Sequence, residues 1–152
     1  MSDGGSLNLG ITVGTKCNFR CRHCLVDENL GSKKISRSEI KLLISEINKH
    51  TPRTLVFTGG EPTLYVNEIN AILSALDATQ EIKVRIITNG YFALNSVATV
   101  KVLKSFKLLN GVSMSYDRFH SEFIPEAHVN CRNPGNLPTP PSISDNCCEA
   151  YI

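Results

Sequence analysis

Thr54-Leu55-Val56-Phe57-Thr58-Gly59-Gly60-Glu61-Pro62 is a short apolar strand that runs into a Gly-Gly loop, with Pro62 holding the residue before it extended. What flanks it repeats. Ahead of it, Ser36-Arg37-Ser38-Glu39 has capping-box spacing, and Ile40, Leu43, Ile44 and Ile47 then recur at helical period. Behind it, Ile69, Ile72, Leu73 and Leu76 mark a second helix. The chain therefore reads as strand, helix, strand, helix, and the pattern extends in both directions. Leu7 to Val13 is an earlier strand, and Ile82 to Thr88 is a later one that stops at the turn signal Asn89-Gly90. Val97, Val100, Leu103 and Phe106 predict a third helix, Val112 to Tyr116 a fourth strand, and Phe119 to Val129 the start of a fourth helix.

Strands alternating with helices of this length form parallel βαβ units. Right-handed crossovers put the C-terminal end of every strand on one edge of the sheet, where α/β barrels carry their functional loops. The expected fold is thus α/β, a partial (βα) barrel of about four βα units with a mainly parallel sheet. Beyond residue 130 the pattern stops. Asn130 to Ile152 shows no apolar period, and Pro134, Pro138, Pro140 and Pro141 deny it a continuous helix or central strand. Residues 1–130 are accordingly expected to be the core and 131–152 an irregular, proline-rich tail. A closed barrel needs more strands than this, so the chain is expected to be truncated or shifted out of frame near Asn130.

With 152 residues, the chain is one domain in size. Its formal charge of +2, from 16 basic and 14 acidic side chains, includes no block of one sign. Neither nucleic acid nor a membrane surface is therefore expected as a partner. No run approaches the roughly 18 apolar residues of a membrane span, and residues 1–10 lack the order of a signal peptide, so a cytoplasmic protein is expected. In that reducing setting the six cysteines read as ligands, redox groups or buried thiols rather than disulfides.

Three of the six are crowded together in Cys17-Asn18-Phe19-Arg20-Cys21-Arg22-His23-Cys24. One such loop can wrap three thiolates around three corners of an iron–sulfur cube. The loop has no fourth cysteine, so one iron would keep an open position, which is where a substrate or cofactor binds. The alternative is a tetrahedral zinc site completed by His23, His50 or a distant residue. Cys131, Cys147 and Cys148 lie in the patternless tail, two of them adjacent, and are read as incidental rather than as a second cluster.

The spacing C-x3-C-x2-C resembles the signature of the radical S-adenosylmethionine (SAM) superfamily, with His23 at its usually aromatic position. The resemblance implies a 4Fe–4S cluster on Cys17, Cys21 and Cys24, with SAM chelating the fourth iron through its amino and carboxylate groups. It further implies an electron donor such as flavodoxin or ferredoxin. Reductive cleavage of SAM to a 5′-deoxyadenosyl radical would then abstract hydrogen from a peptide or small-molecule substrate. Gly59-Gly60-Glu61 is similar to the family's GGE motif, which meets the SAM amino group. Thr88-Asn89-Gly90 and Ser115-Tyr116-Asp117 resemble its later strand-end motifs. The family thus places His23, Gly59, Gly60, Glu61, Asn89 and Ser115 at the cofactor, and Thr88, Asp117 and His120, at the same strand ends, are read as substrate contacts. The competing readings are a non-catalytic zinc or iron–sulfur module and an inactive remnant.

Overall fold

A computed structural model of the chain describes residues 7–26, 31–93, 96–125 and 148–151. Strands β1 (Asn8–Thr12), β2 (Thr54–Thr58), β3 (Lys83–Thr88) and β4 (Gly111–Met114) lie side by side in sequence order, all parallel. Helices α1 (Arg37–His50), α2 (Val66–Ser74) and α3 (Ser96–Leu103) connect them. The predicted alternation is present, unit by unit.

Local chemistry sets the boundaries. Ser36 Oγ accepts from Glu39 N at 3.3 Å and Glu39 Oε2 accepts from Ser36 N at 2.7 Å, the reciprocal cap that the sequence announces. Thr51 closes α1 in the left-handed region at φ 42°, and the buried Pro52 bars its continuation.

The sheet has two unlike faces. Ile11, Leu55, Phe57, Val84, Ile86 and Val112 point toward the helices and pack with Ile47, Ile69 and Ile72 in the main core. Each such side chain contributes about 1.5–3 kcal/mol by leaving water. The alternate residues Gly10, Thr12, Val56, Thr58, Arg85 and Ile87 form the other face, which is half-buried or exposed. Ser113, on that face too, is buried and its hydroxyl accepts from Arg85 Nη2 at 3.1 Å. In a (βα) barrel this second face is the lumen.

Two segments depart from the expectation. Residues 119–125 hold a single 3-10 turn, His120–Glu122, instead of the start of a helix. Asp117 Oδ1 accepts from Phe119 N at 2.8 Å and His120 N at 3.1 Å, as a helix N-cap does, but Pro125 disfavours the α region at the residue before it, so the turn is not extended. The rest of that expected helix lies outside the described residues. In the tail expected to be irregular, Cys148–Tyr151 forms strand β5, antiparallel to β4. Such pairing needs backbone groups at an open edge and no apolar period, so sequence pattern does not reveal it. Cys131 and Cys147 lie outside the described residues. Among those residues, no helix is long and apolar enough to cross a membrane.

Candidate metal and cofactor site

The loops after β1, β2, β3 and β4 meet at one edge, around a cavity of about 460 Å³. Cys17, Cys21 and Cys24 line it together, with Gly59 and Gly60 from the second strand end, Asn89 from the third and Ser115 from the fourth. His23 and His120 complete the rim. Most of the residues singled out from the sequence are thus brought together. Thr12, Thr58 and Ile87 also line the cavity, as the last lumen-facing positions of their strands; the two-residue period could have picked them out.

The cysteine loop is seated on a small apolar cluster. Phe19 is buried with Ile124, stacks on Phe123 at a centroid distance of 4.7 Å and meets Tyr91 edge-on at 5.9 Å. This apolar anchor went unremarked in the sequence, where it reads only as a spacer between cysteines. Behind the loop, Lys16 N donates to Tyr65 Oη at 2.6 Å, while Gly60 N and Glu61 N donate to the carbonyls of Gly14 and Lys16 at 2.8 and 2.9 Å. The chain entering Cys17 is therefore clamped from two sides.

That clamp explains both glycines. Gly59 has φ 134°, and a Cβ there would overlap the Gly14 carbonyl oxygen. A Cβ on Gly60 would overlap the Lys16 carbonyl and lie 2.6 Å from Thr15 O.

Glu61 and Thr88 take another direction. Glu61 is 1% exposed and lies beneath the loop rather than in the cavity lining. Its Oε1 accepts from Thr63 N at 3.1 Å, Thr63 Oγ1 at 2.6 Å and Thr88 Oγ1 at 2.7 Å, and its Oε2 from Asn89 N at 2.9 Å. Both side chains are spent on joining the second and third strand ends. Asp117 also stands behind the rim. Its Oδ2 lies 3.3 Å from His23 Nε2 and its Oδ1 2.9 Å from His120 Nδ1, while His23 stacks on Phe119 at 4.4 Å. Burial opposes the charge on Asp117, but the hydrogen bonds from His120 and Phe119 outweigh it and hold its carboxyl below the usual range.

The thiols show the opposite electrostatics. Burial, followed by the neighbouring Cys17 and Cys24, pushes Cys21 up to about 11, and burial likewise raises Cys17. Three sulfurs share one cavity that no lysine or arginine among the described residues lines, a donor set suited to a positively charged soft metal centre. His50 is not part of it: it ends α1 at the far edge of the sheet, 3.3 Å from Glu46.

The model of the radical SAM superfamily matches residues 11–137. This chain belongs to that superfamily. Among curated relatives, the radical SAM chain is 37% identical over 87 residues to the molybdenum cofactor biosynthesis protein moc-5 of Caenorhabditis elegans, covering 54% of this chain and 14% of that protein. It is 29% identical over 131 residues to the GTP 3′,8-cyclase of Campylobacter fetus, covering 80% of this chain and 38% of the relative. The chain thus spans well under half the length of these relatives. Among solved structures, methylornithine synthase superposes with a TM-score of 0.55 at 16% identity, over 83% of this chain and 40% of the other. That likeness supports the partial (βα) barrel.

Proposed function

We propose that Cys17, Cys21 and Cys24 hold a 4Fe–4S cluster with one open iron, and that the radical SAM chain binds SAM against it. The observation that carries this reading is the shared cavity, which sets the three thiols opposite Gly59, Gly60 and Ser115. The zinc alternative fits less well, because His23 is engaged by Asp117 and Phe119 and His50 stands at the opposite edge.

When bound, the cluster and SAM supply reductive cleavage of the sulfonium and a radical able to abstract hydrogen from a substrate. The chain's own residues do the holding. Gly59 and Gly60 line the cavity with backbone, where a ligand amine can meet carbonyl oxygen, while their missing Cβ atoms let the cysteine loop close behind them. Ser115, whose N–H donates to Thr88 O at 2.8 Å, stands at the fourth strand end with its hydroxyl available to a ribose. Glu61 and Thr88 act as framework, fixing the loop that carries the glycines. His120 stands at the rim, where a substrate could meet it, and Asp117 holds it from behind. GTP is the first substrate to try, since curated relatives matching up to 80% of the chain are GTP 3′,8-cyclases.

The test is anaerobic reconstitution of the full chain, with iron and sulfide counted and the nucleoside products of SAM plus dithionite separated by chromatography. We expect about four irons with matching sulfide, and 5′-deoxyadenosine that disappears in Cys17→Ala, Cys21→Ala and Cys24→Ala. Full cluster loading in Cys21→Ala would sink the assignment. A loaded cluster that yields no 5′-deoxyadenosine would leave a structural iron–sulfur module.

A further inference from the structure

Asn89 is 7% exposed, and its backbone N–H and both polar atoms of its side-chain amide have fixed partners. Its backbone N–H donates to Glu61 Oε2 at 2.9 Å, and its Oδ1 accepts from Tyr91 N at 3.0 Å. The amide nitrogen is therefore the end that faces the cysteine loop. There Nδ2 donates to Asn18 Oδ1 at 2.8 Å and lies 3.5 Å from Cys17 Sγ. A reversed amide would set Nδ2 against the Tyr91 N–H and Oδ1 against the Asn18 oxygen, so both neighbours select the orientation that aims N–H at sulfur. Gly90 follows at φ 73°, where a Cβ would overlap Met114 Cε.

Cys17 also receives Phe19 N at 3.3 Å. Among the described residues, neither Cys21 nor Cys24 has an N–H directed at its sulfur. One corner of the proposed cluster thus differs from the other two, and a side chain from a different βα unit makes part of the difference.

We propose that Asn89 steadies and tunes the cluster by donating an N–H···S hydrogen bond to the Cys17 thiolate, so that the third strand end sets how readily the cluster accepts an electron. This rests on the cluster assignment above. Hydrogen bonds to the sulfurs favour the more negative, reduced state, because the donor dipole stabilises added charge on the thiolate. Asn89 acts here through Cys17 and is a positioning residue.

The experiment uses the full chain, reconstituted anaerobically and titrated with mediators, following the reduced cluster by electron paramagnetic resonance. Asn89→Ala removes the donor. Asn89→Asp keeps the acceptor for Tyr91 N but replaces the donor with an oxygen. Thr63→Val loosens the Glu61 framework without touching sulfur. A neutral hydrogen bond of ordinary strength corresponds to about a threefold to tenfold change in the reduction equilibrium. We expect the midpoint of Asn89→Ala to fall by about 30–60 mV, that factor converted for one electron. Asn89→Asp falls at least as far, and Thr63→Val lowers thermal stability with its midpoint unmoved. Loss of iron from the Asn89 variants alone, with Thr63→Val fully loaded, supports the steadying half. Midpoints and iron content equal to the parent in both Asn89 variants overturn the proposal, as does an equal shift in Thr63→Val. If the parent chain itself takes up no iron, the cluster assignment has failed first, and the two failures are told apart.

Discussion

Thr88 Oγ1 donates to Glu61 Oε1 at 2.7 Å, and this buried bond ties the end of β3 to the loop after β2. With Thr63 and the Asn89 N–H it gives the Glu61 carboxylate four donors. Such a group stabilises only as a set, because removing the acceptor strands every donor at once.

Glu61→Ala should therefore cost about 3–5 kcal/mol, because it strands several buried donors at once, each costing about 1–3 kcal/mol when left unsatisfied. Glu61→Gln should cost less, about 1–3 kcal/mol, because one oxygen survives while the new NH2 meets a donor. Denaturant unfolding of the metal-free chain measures both. Equal midpoints for parent and Glu61→Ala would show that the carboxylate does not hold the loop.

Gly60→Ala tests the clamp on the cysteine loop. A Cβ at this position meets the backbone oxygens of Thr15 and Lys16, which cannot swing aside as a side chain could. We expect a loss of about 1–3 kcal/mol, the range for overpacking, together with iron content well below the parent's. Gly10→Ala is the control, since its Cβ would meet nothing within 4 Å. Equal loading of iron in Gly60→Ala and Gly10→Ala would show that the segment before Cys17 can shift without disturbing the thiols.

The four parallel strands were legible because their apolar residues alternate cleanly and their helices carry caps. The cysteines and the Gly-Gly loop were legible by residue type and order, and the chain's path brings them together with no further information. The direction of Glu61 and Thr88 was not. Both follow strands at the functional edge, but whether such a side chain turns into the cavity or beneath it depends on donors supplied by another strand. The short turn at His120 escaped for a related reason. Phe119, Phe123 and Ile124 suggest a helix, and the Asp117 cap would start one, whereas Pro125 acts on the backbone and cuts it to a short turn.

Lys34 and Glu68 offer a pH-dependent test of the segment before α1. Lys34 Nζ lies 2.8 Å from Glu68 Oε1, and this hydrogen bond holds the Glu68 carboxyl below its usual range. A carboxyl depressed in the folded state contributes stability above its unfolded pKa and loses it as pH falls through the folded value. Lys34 is mostly exposed, so the pair is screened by solvent and contributes modestly. Lys34→Met should lower Tm by roughly 1–3 °C at neutral pH. The gap should close progressively in acid, below the unfolded glutamate value of about 4.3. A gap that is unchanged at pH 3 would mean that packing of the lysine stem, and not the ion pair, sets the difference.

Asp117 joins two loops that the sequence leaves far apart. One oxygen serves the turn at His120 and the other faces His23, which sits between Cys21 and Cys24. Arg22 and Glu122 add a bridge of 3.2 Å beside it, but both are well exposed and contribute little. The latch should therefore restrain the cysteine loop locally while adding little to global stability, since the main core lies on the other face of the sheet. In Asp117→Ala the loop would open more often, and a chelator would strip iron from the reconstituted chain faster, by roughly threefold to tenfold for the loss of one ordinary hydrogen bond. Asp117→Asn keeps an acceptor for the Phe119 and His120 N–H groups but gives up the charge facing His23, so its rate should fall between the two. The rate of iron release to an excess of chelator, followed by absorbance under anaerobic conditions, measures this directly. Thermal unfolding of the metal-free variants supplies the second reading, and there the curves should nearly coincide. If iron leaves all three proteins at one rate, the contact between Asp117 and His23 does not restrain the loop, and the apolar seat of Phe19 with the clamp on the segment before Cys17 holds the cysteines in place without it.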